Sequence, residues 1–207
     1  MDLAPDELAI GSLRRATTDR HHLLESVLTL GDPLELGGYI DAMRGFELFL
    51  ASWEPRVRAG LPARLHDWLA SRSRHKLACL DLAHFGCEPS CDSGVTAACA
   101  SLVDDIELRS TAAAFGSIYV LEGSALGGQV IAKAASETLG LGPENGAAYF
   151  NGFRLETALR WREFRLLLEV EVGSRPEARQ DACKAAKQTF DALIGIFTML
   201  RHGPVST

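Results

Sequence analysis

An all-α fold is predicted by three features of this 207-residue chain. Apolar residues recur at spacings of three and four over long stretches, the period of a helix with one buried face. Proline and glycine clusters separate those stretches, as helix boundaries require. No alternating, β-branched run bounded by Asn-Gly turns occurs, so nothing reads as a sheet. With 47% apolar residues the chain can fill a sizeable core, and its length suits one domain, residues 1–207, of six to eight helices.

The first helix is expected from about Leu8 to Leu30, with Leu13, Thr17, His21, Leu24 and Leu28 on one stripe. Gly31-Asp32-Pro33 ends it and starts a second, Leu34 to Trp53, whose Tyr39, Met43, Phe46 and Leu50 share a face. Pro55 should bend or stop that helix, because proline lacks the N–H of the next helical bond. Pro62 fits the first turn of a third helix, continuous through Trp68, Leu77 and Leu82 to about Phe85. Gly86 to Gly94 reads as a loop. Two long helices follow, about Glu107–Leu139 and Phe153–Val170, divided by a turn around Leu141–Gly146, and a last one spans about Glu177–Leu200.

The segment Gly116 to Lys133 is unusual for a helix because Gly123, Gly127 and Gly128 lie inside it. Each interior glycine loses roughly 1 kcal/mol against alanine. Glycines at i, i+4 and i+5 strip side chains from one side, so the backbone can approach a flat ligand closely. A close helix–helix contact needing no ligand is the alternative reading of the same pattern.

Composition narrows the function. Lys and Arg total 21 against 27 Asp and Glu, a net charge of −6, and no basic stripe is present, which argues against a nucleic-acid surface. No apolar run approaches the roughly 20 residues of a membrane span, and the acidic start does not resemble a secretory signal. A cytoplasmic protein with reduced thiols is the expectation, given five cysteines. His84-x2-Cys87-x3-Cys91 raises a zinc possibility, but without a paired CxxC knuckle ordinary thiols are the preferred reading.

The chemistry-bearing residues begin in the first helix. His21 lies on the apolar stripe, Glu25 stands four residues on, where a carboxylate could orient the imidazole, and Arg14 stands two turns back on the same face. An imidazole for a metal, a carboxylate to fix the ring and a guanidinium for an acidic rim suit heme, with its central iron and two propionates. A core histidine flanked by solvated charges would look the same.

Leu13-Arg14-x-Ala16-Thr17-x3-His21-x3-Glu25, taken with Tyr119-Val120-Leu121-Glu122-Gly123-Ser124-x-Leu126-Gly127-Gly128, resembles the heme oxygenase family, in particular its bacterial, phytochrome-associated branch. Ala186-Lys187-x2-Phe190 is similar as well, so the likeness runs from about Leu13 to Phe197. The resemblance implies His21 as proximal iron ligand, Glu25 as the group orienting it, and Arg14 near the propionates. It places Gly123, Ser124, Gly127 and Gly128 on the distal helix over the oxygen-binding face. Arg162 aligns best with a second propionate-binding base, Arg165 is one residue out of step with a third, and Tyr119 is within reach of a propionate or pocket water. The mammalian-like pattern has an aspartate where this chain has Ser124, which implies a differently organised water network.

What the resemblance implies about activity is oxidative opening of heme to biliverdin with release of iron and carbon monoxide. O2 and an external electron donor, a ferredoxin or reductase, would be required, and a bacteriophytochrome is a possible recipient of the biliverdin. Two other readings remain at this level: a non-catalytic heme carrier or sensor, and a helical protein of the same fold without heme.

Overall fold

The computed structural model describes residues 8–28, 30, 33–88 and 92–202. Among these residues it is helical throughout, with no strand: α1 (Ala9–Val27), α2 (Leu36–Gly60), α3 (His66–Ala70), α4 (His75–His84), α5 (Ser93–Asp104), α6 (Thr111–Leu139), α7 (Ala148–Asn151), α8 (Thr157–Glu171) and α9 (Pro176–His202). Short 3-10 turns at Ala63–Leu65 and Arg154–Glu156 lead into α3 and α8. Gly31, Asp32 and Cys91, invoked in the sequence reading, lie outside the described residues.

The long central helix α6 has local signals at both ends. Ser110 caps its start by accepting from the Ala113 N–H at 3.1 Å. Gly140 ends it at φ +68, where the Gly140 and Leu141 N–H groups donate back to the carbonyls of Ser136 and Ala135. Gly116 sits where α6 crosses α9 so closely that a β-carbon there would lie 2.0 Å from the Ala182 carbonyl oxygen. A directed hydrogen-bond chain ties α2, α6 and α9 in the core: Trp53 Nε1 donates to Ser117 Oγ (2.8 Å), Ser117 to Thr189 Oγ1 (2.6 Å), and Thr189 to the Ala185 carbonyl (2.7 Å). Each buried polar atom in that chain has a partner, as burial demands.

Three expectations need correction. Pro55 does not stop α2, which continues to Gly60. Proline's fixed φ is compatible with a helix, and Ala51, whose carbonyl Pro55 leaves without a helical donor, lines a cavity of about 370 Å³. The third helix is not continuous but breaks at Ser71–Arg74 into α3 and α4. A carboxylate distant in sequence causes the break: Glu54 of α2 accepts from Ser73 Oγ (2.7 Å), Arg74 N (3.0 Å) and His75 N (3.2 Å), capping α4 from outside. Glu54→Ala is therefore expected to lower stability by about 1–3 kcal/mol, measured by urea unfolding, through the amides left without an acceptor. Third, α5 occupies a stretch assigned no element from sequence, capped by Asp92, which accepts from Gly94 N and Val95 N.

Buried and partly buried aromatic rings then set α8 against α6. Trp68, Phe115, Phe164 and Trp161 stack in series with centroid separations of 5.6, 6.1 and 5.5 Å. Arg72 lies over Trp68 and makes ion pairs with Glu122 of α6 (2.7 Å) and Glu163 of α8 (2.9 Å).

Candidate functional site

Between α1 and α6 lies a cavity of about 1020 Å³, partly open to solvent. Arg14, His21 and Glu25 of α1 line one wall, and Gly123, Ser124, Gly127 and Gly128 of α6 line the other, with Tyr119 and Arg165 also at its surface. Thus the two sequence segments that carried the resemblance face a common space.

The spacing of α1 accounts for the first wall. Residues 14, 17, 21, 24 and 25 recur at three and four, so they share a face, and all five border the cavity. His21 is 56% exposed at its side chain, so it is not a core histidine. Its Nδ1 is 3.5 Å from Glu25 Oε1. His22, the next residue on α1, also borders the cavity, with Nδ1 3.3 Å from Glu25 Oε2. One carboxylate therefore serves both rings. Phe190 of α9 meets the His21 ring edge-on at 6.0 Å.

On the opposite wall, the glycines have different surroundings. A β-carbon on Gly123 or Gly127 would meet nothing within 4 Å, so their bare backbone looks onto open space. Gly128 instead rests on α7, where a β-carbon would lie 3.3 Å from the Phe150 carbonyl oxygen. α7 is itself held by the buried Asp81 carboxylate of α4, which accepts from Ala148 N (2.7 Å) and Tyr149 N (2.8 Å). α6 is unbroken through all three glycines.

Ser124 Oγ donates to the Leu121 carbonyl at 2.8 Å and accepts from Arg74 Nη1 at 3.5 Å. Its proton is committed to the helix, so toward the cavity this hydroxyl can act only as an acceptor. Glu122 points away, into its pair with Arg72, as one residue's rotation on a helix requires. Arg74, buried and adjoining both cavities, is the cationic group beside Ser124. No local pattern marked it, because its position depends on the α3–α4 break.

The expected basic residues divide. Arg165 borders the cavity, whereas Arg162 is exposed and does not. Trp161 faces the cavity, so Arg165, four residues on, shares its side while Arg162 is turned by about 100°. Burial pushes the Tyr119 phenol up, with the Thr17 contact and the Arg14 charge acting against it. Tyr119 thus presents a neutral hydroxyl at the edge nearest Arg14.

The cavity fits heme on its own terms: imidazoles on one wall, a side-chain-free backbone on the other, and the cationic groups Arg14, Arg74 and Arg165 around them.

Comparison with known proteins agrees. The Heme oxygenase family model matches residues 8–199. The chain is similar to heme oxygenase PigA of Pseudomonas aeruginosa, 31% identical over 182 residues that cover 86% of each protein. Its fold matches that of the NO- and CO-bound heme oxygenase from Neisseria meningitidis, with TM-score 0.73 and 20% identity over 97% of this chain and 95% of that one. The heme oxygenase from Leptospira interrogans gives TM-score 0.74 and 20% identity over 92% and 98% respectively. A family match over nearly the whole chain, and a cavity walled by both of its motifs, lead to one conclusion: the chain belongs to the heme oxygenase family.

Proposed function

We propose that this chain, working as one helical domain, binds heme as substrate between α1 and α6 and cleaves it oxidatively to biliverdin, iron and carbon monoxide. The observation that carries this reading is the open space between His21 and the bare backbone of Gly123 and Gly127. Bound heme supplies the iron at which O2 is reduced. The protein supplies position. Glu25, 3.5 Å from His21 Nδ1, would by accepting from that nitrogen favour the tautomer that leaves His21 Nε2 free as a ligand. Arg14 and Arg165, with Tyr119, would hold the propionates and so fix the rotation of the ring in its plane.

On the distal side, Gly123 and Gly127 keep the helix free of side chains, and Gly128 seats it on α7. Arg74 and the acceptor Ser124 would order water there in place of a carboxylate. Electrons would come from a separate ferredoxin or reductase. The sequence resemblance to the phytochrome-associated branch supports delivery of biliverdin to a bacteriophytochrome. The free thiols of Cys79, Cys87, Cys99 and Cys183 support a cytoplasmic setting. Among the described residues no helix is long and apolar enough to cross a membrane.

Heme added to the purified chain is expected to give a Soret band, and ascorbate or a reductase under air should bleach it as a biliverdin band rises. A Soret band stable under those conditions would instead identify a heme carrier, and the lack of one would overturn heme binding.

A further inference from the structure

Away from the heme cavity, three metal-ligating side chains converge on one point. Glu47 of α2 and His75 and Cys79 of α4 place one donor atom each within 4.8 Å of the others. Glu47 Oε1 is 3.1 Å from His75 Nε2, and Cys79 Sγ is 3.6 Å from that same nitrogen. We propose that Glu47, His75 and Cys79 form a binding site for a divalent transition-metal ion of the zinc class.

The distances carry the argument. Around a tetrahedral zinc, bond lengths of about 2.0–2.1 Å to nitrogen or oxygen and about 2.3 Å to sulfur put N and O about 3.3 Å apart, and N and S about 3.6 Å apart. The two observed separations lie close to those edges. Convergence on a single ring nitrogen also separates the cluster from a nucleophile relay, in which a histidine uses one nitrogen toward the thiol and the other toward the carboxylate. A metal ion, by contrast, needs all three donors to aim at one place.

The backbone explains why they do. His75 and Cys79 stand at i and i+4, one above the other on a single helical face. Glu47 is buried, and Glu54, seven residues on along the same side of α2, pins the α4 N-terminus at Arg74 and His75. The cap therefore sets the register that brings α4's ligands to Glu47. His75 and Cys79 are only partly buried, which leaves a path for the ion and a fourth position for water. Burial, with Glu47 and Glu54, pushes the Cys79 thiol up; a dication between these groups reverses that field. A thiolate, an imidazole and one carboxylate favour zinc over the hard cations magnesium and calcium.

The only other such cluster among the described residues, His21, His22 and Glu25, lacks sulfur and borders the heme cavity. None of Glu47, His75 and Cys79 borders that cavity.

Cobalt(II) titration of the heme-free chain tests the proposal, because of the two clusters only Glu47–His75–Cys79 can give a thiolate-to-cobalt charge-transfer band, and Cys79→Ser separates it from the other thiols. One equivalent per chain should produce that near-ultraviolet band with the intense visible bands of tetrahedral coordination, and Zn2+ should displace both. Cys79→Ser should remove the charge-transfer band, and Glu47→Gln should weaken affinity on the order of tenfold or more. Both variants are checked for folding by their heme Soret band. Where a variant fails that check, protection of wild-type Cys79 from alkylation by Zn2+, read by peptide mass spectrometry, takes its place. No charge-transfer band in the wild type, a band that survives Cys79→Ser, or no protection would reduce the cluster to a His75–Glu47 ion pair and overturn the proposal.

Discussion

Replacing Gly127 with alanine is expected to raise the thermal midpoint of the heme-free protein and to lower heme turnover, whereas the same change at Gly116 should lower the midpoint sharply. Both residues lie in α6, so the intrinsic gain in helix propensity, roughly 1 kcal/mol, is common to them. At Gly127 nothing opposes it, since the added methyl meets no atom within 4 Å. A gain of that size corresponds to about 2–4 °C for a chain of this length.

The methyl nevertheless projects into the space assigned to heme, so turnover falls while stability rises. At Gly116 the methyl would lie 2.0 Å from the Ala182 carbonyl oxygen and 2.6 Å from its α-carbon. Backbone cannot swing aside as a side chain can. The α6–α9 crossing must open, at a penalty at or above the usual 1–3 kcal/mol of overpacking. Differential scanning calorimetry with a biliverdin assay reads both effects. Equal destabilisation at the two positions would show that Gly127 is packed, and would remove the main support for the distal wall.

Loss of His21 should have the larger effect on chemistry. Removing an outer group that orients a metal ligand commonly reduces affinity or activity by about 10–100-fold. Glu25→Gln is expected in that range, and His21→Ala, which removes the ligand itself, beyond it. His22→Ala provides the control, because His22 shares the Glu25 carboxylate and borders the same cavity. If His21 holds the iron, the His22 variant retains its Soret position and most turnover. Absorption spectra of the three heme-loaded variants decide the matter, and a Soret shift confined to His22→Ala would move the ligand by one residue.

The parts legible from sequence were those governed by local rules. Helical period placed α1 and the ends of α6 within a few residues, and shared faces on α1 brought Arg14, His21 and Glu25 to one wall. What escaped depends on contacts between distant segments. The break before α4 comes from Glu54, about twenty residues earlier, and no pattern within 62–85 announces it. Arg74 reaches the cavity only because of that break. α5 was missed because Ala97, Ala98, Cys99 and Ala100 offer little contrast between an apolar and a polar face, although Asp92 marked its start. Arg162 was preferred to Arg165 by motif alignment, but a residue's face depends on its register with Trp161, which only packing reveals.

The support beneath Gly128 has a further consequence. Because a β-carbon on Gly128 would crowd the Phe150 carbonyl at 3.3 Å, and α7 hangs from Asp81, this wall of the cavity rests on a strut anchored in α4. With heme bound as proposed, the headroom above it would depend on a buried carboxylate that does not line the cavity. The height of the cavity and its polarity would then be separately adjustable, the first through Asp81 and α7, the second through Arg74 and Ser124.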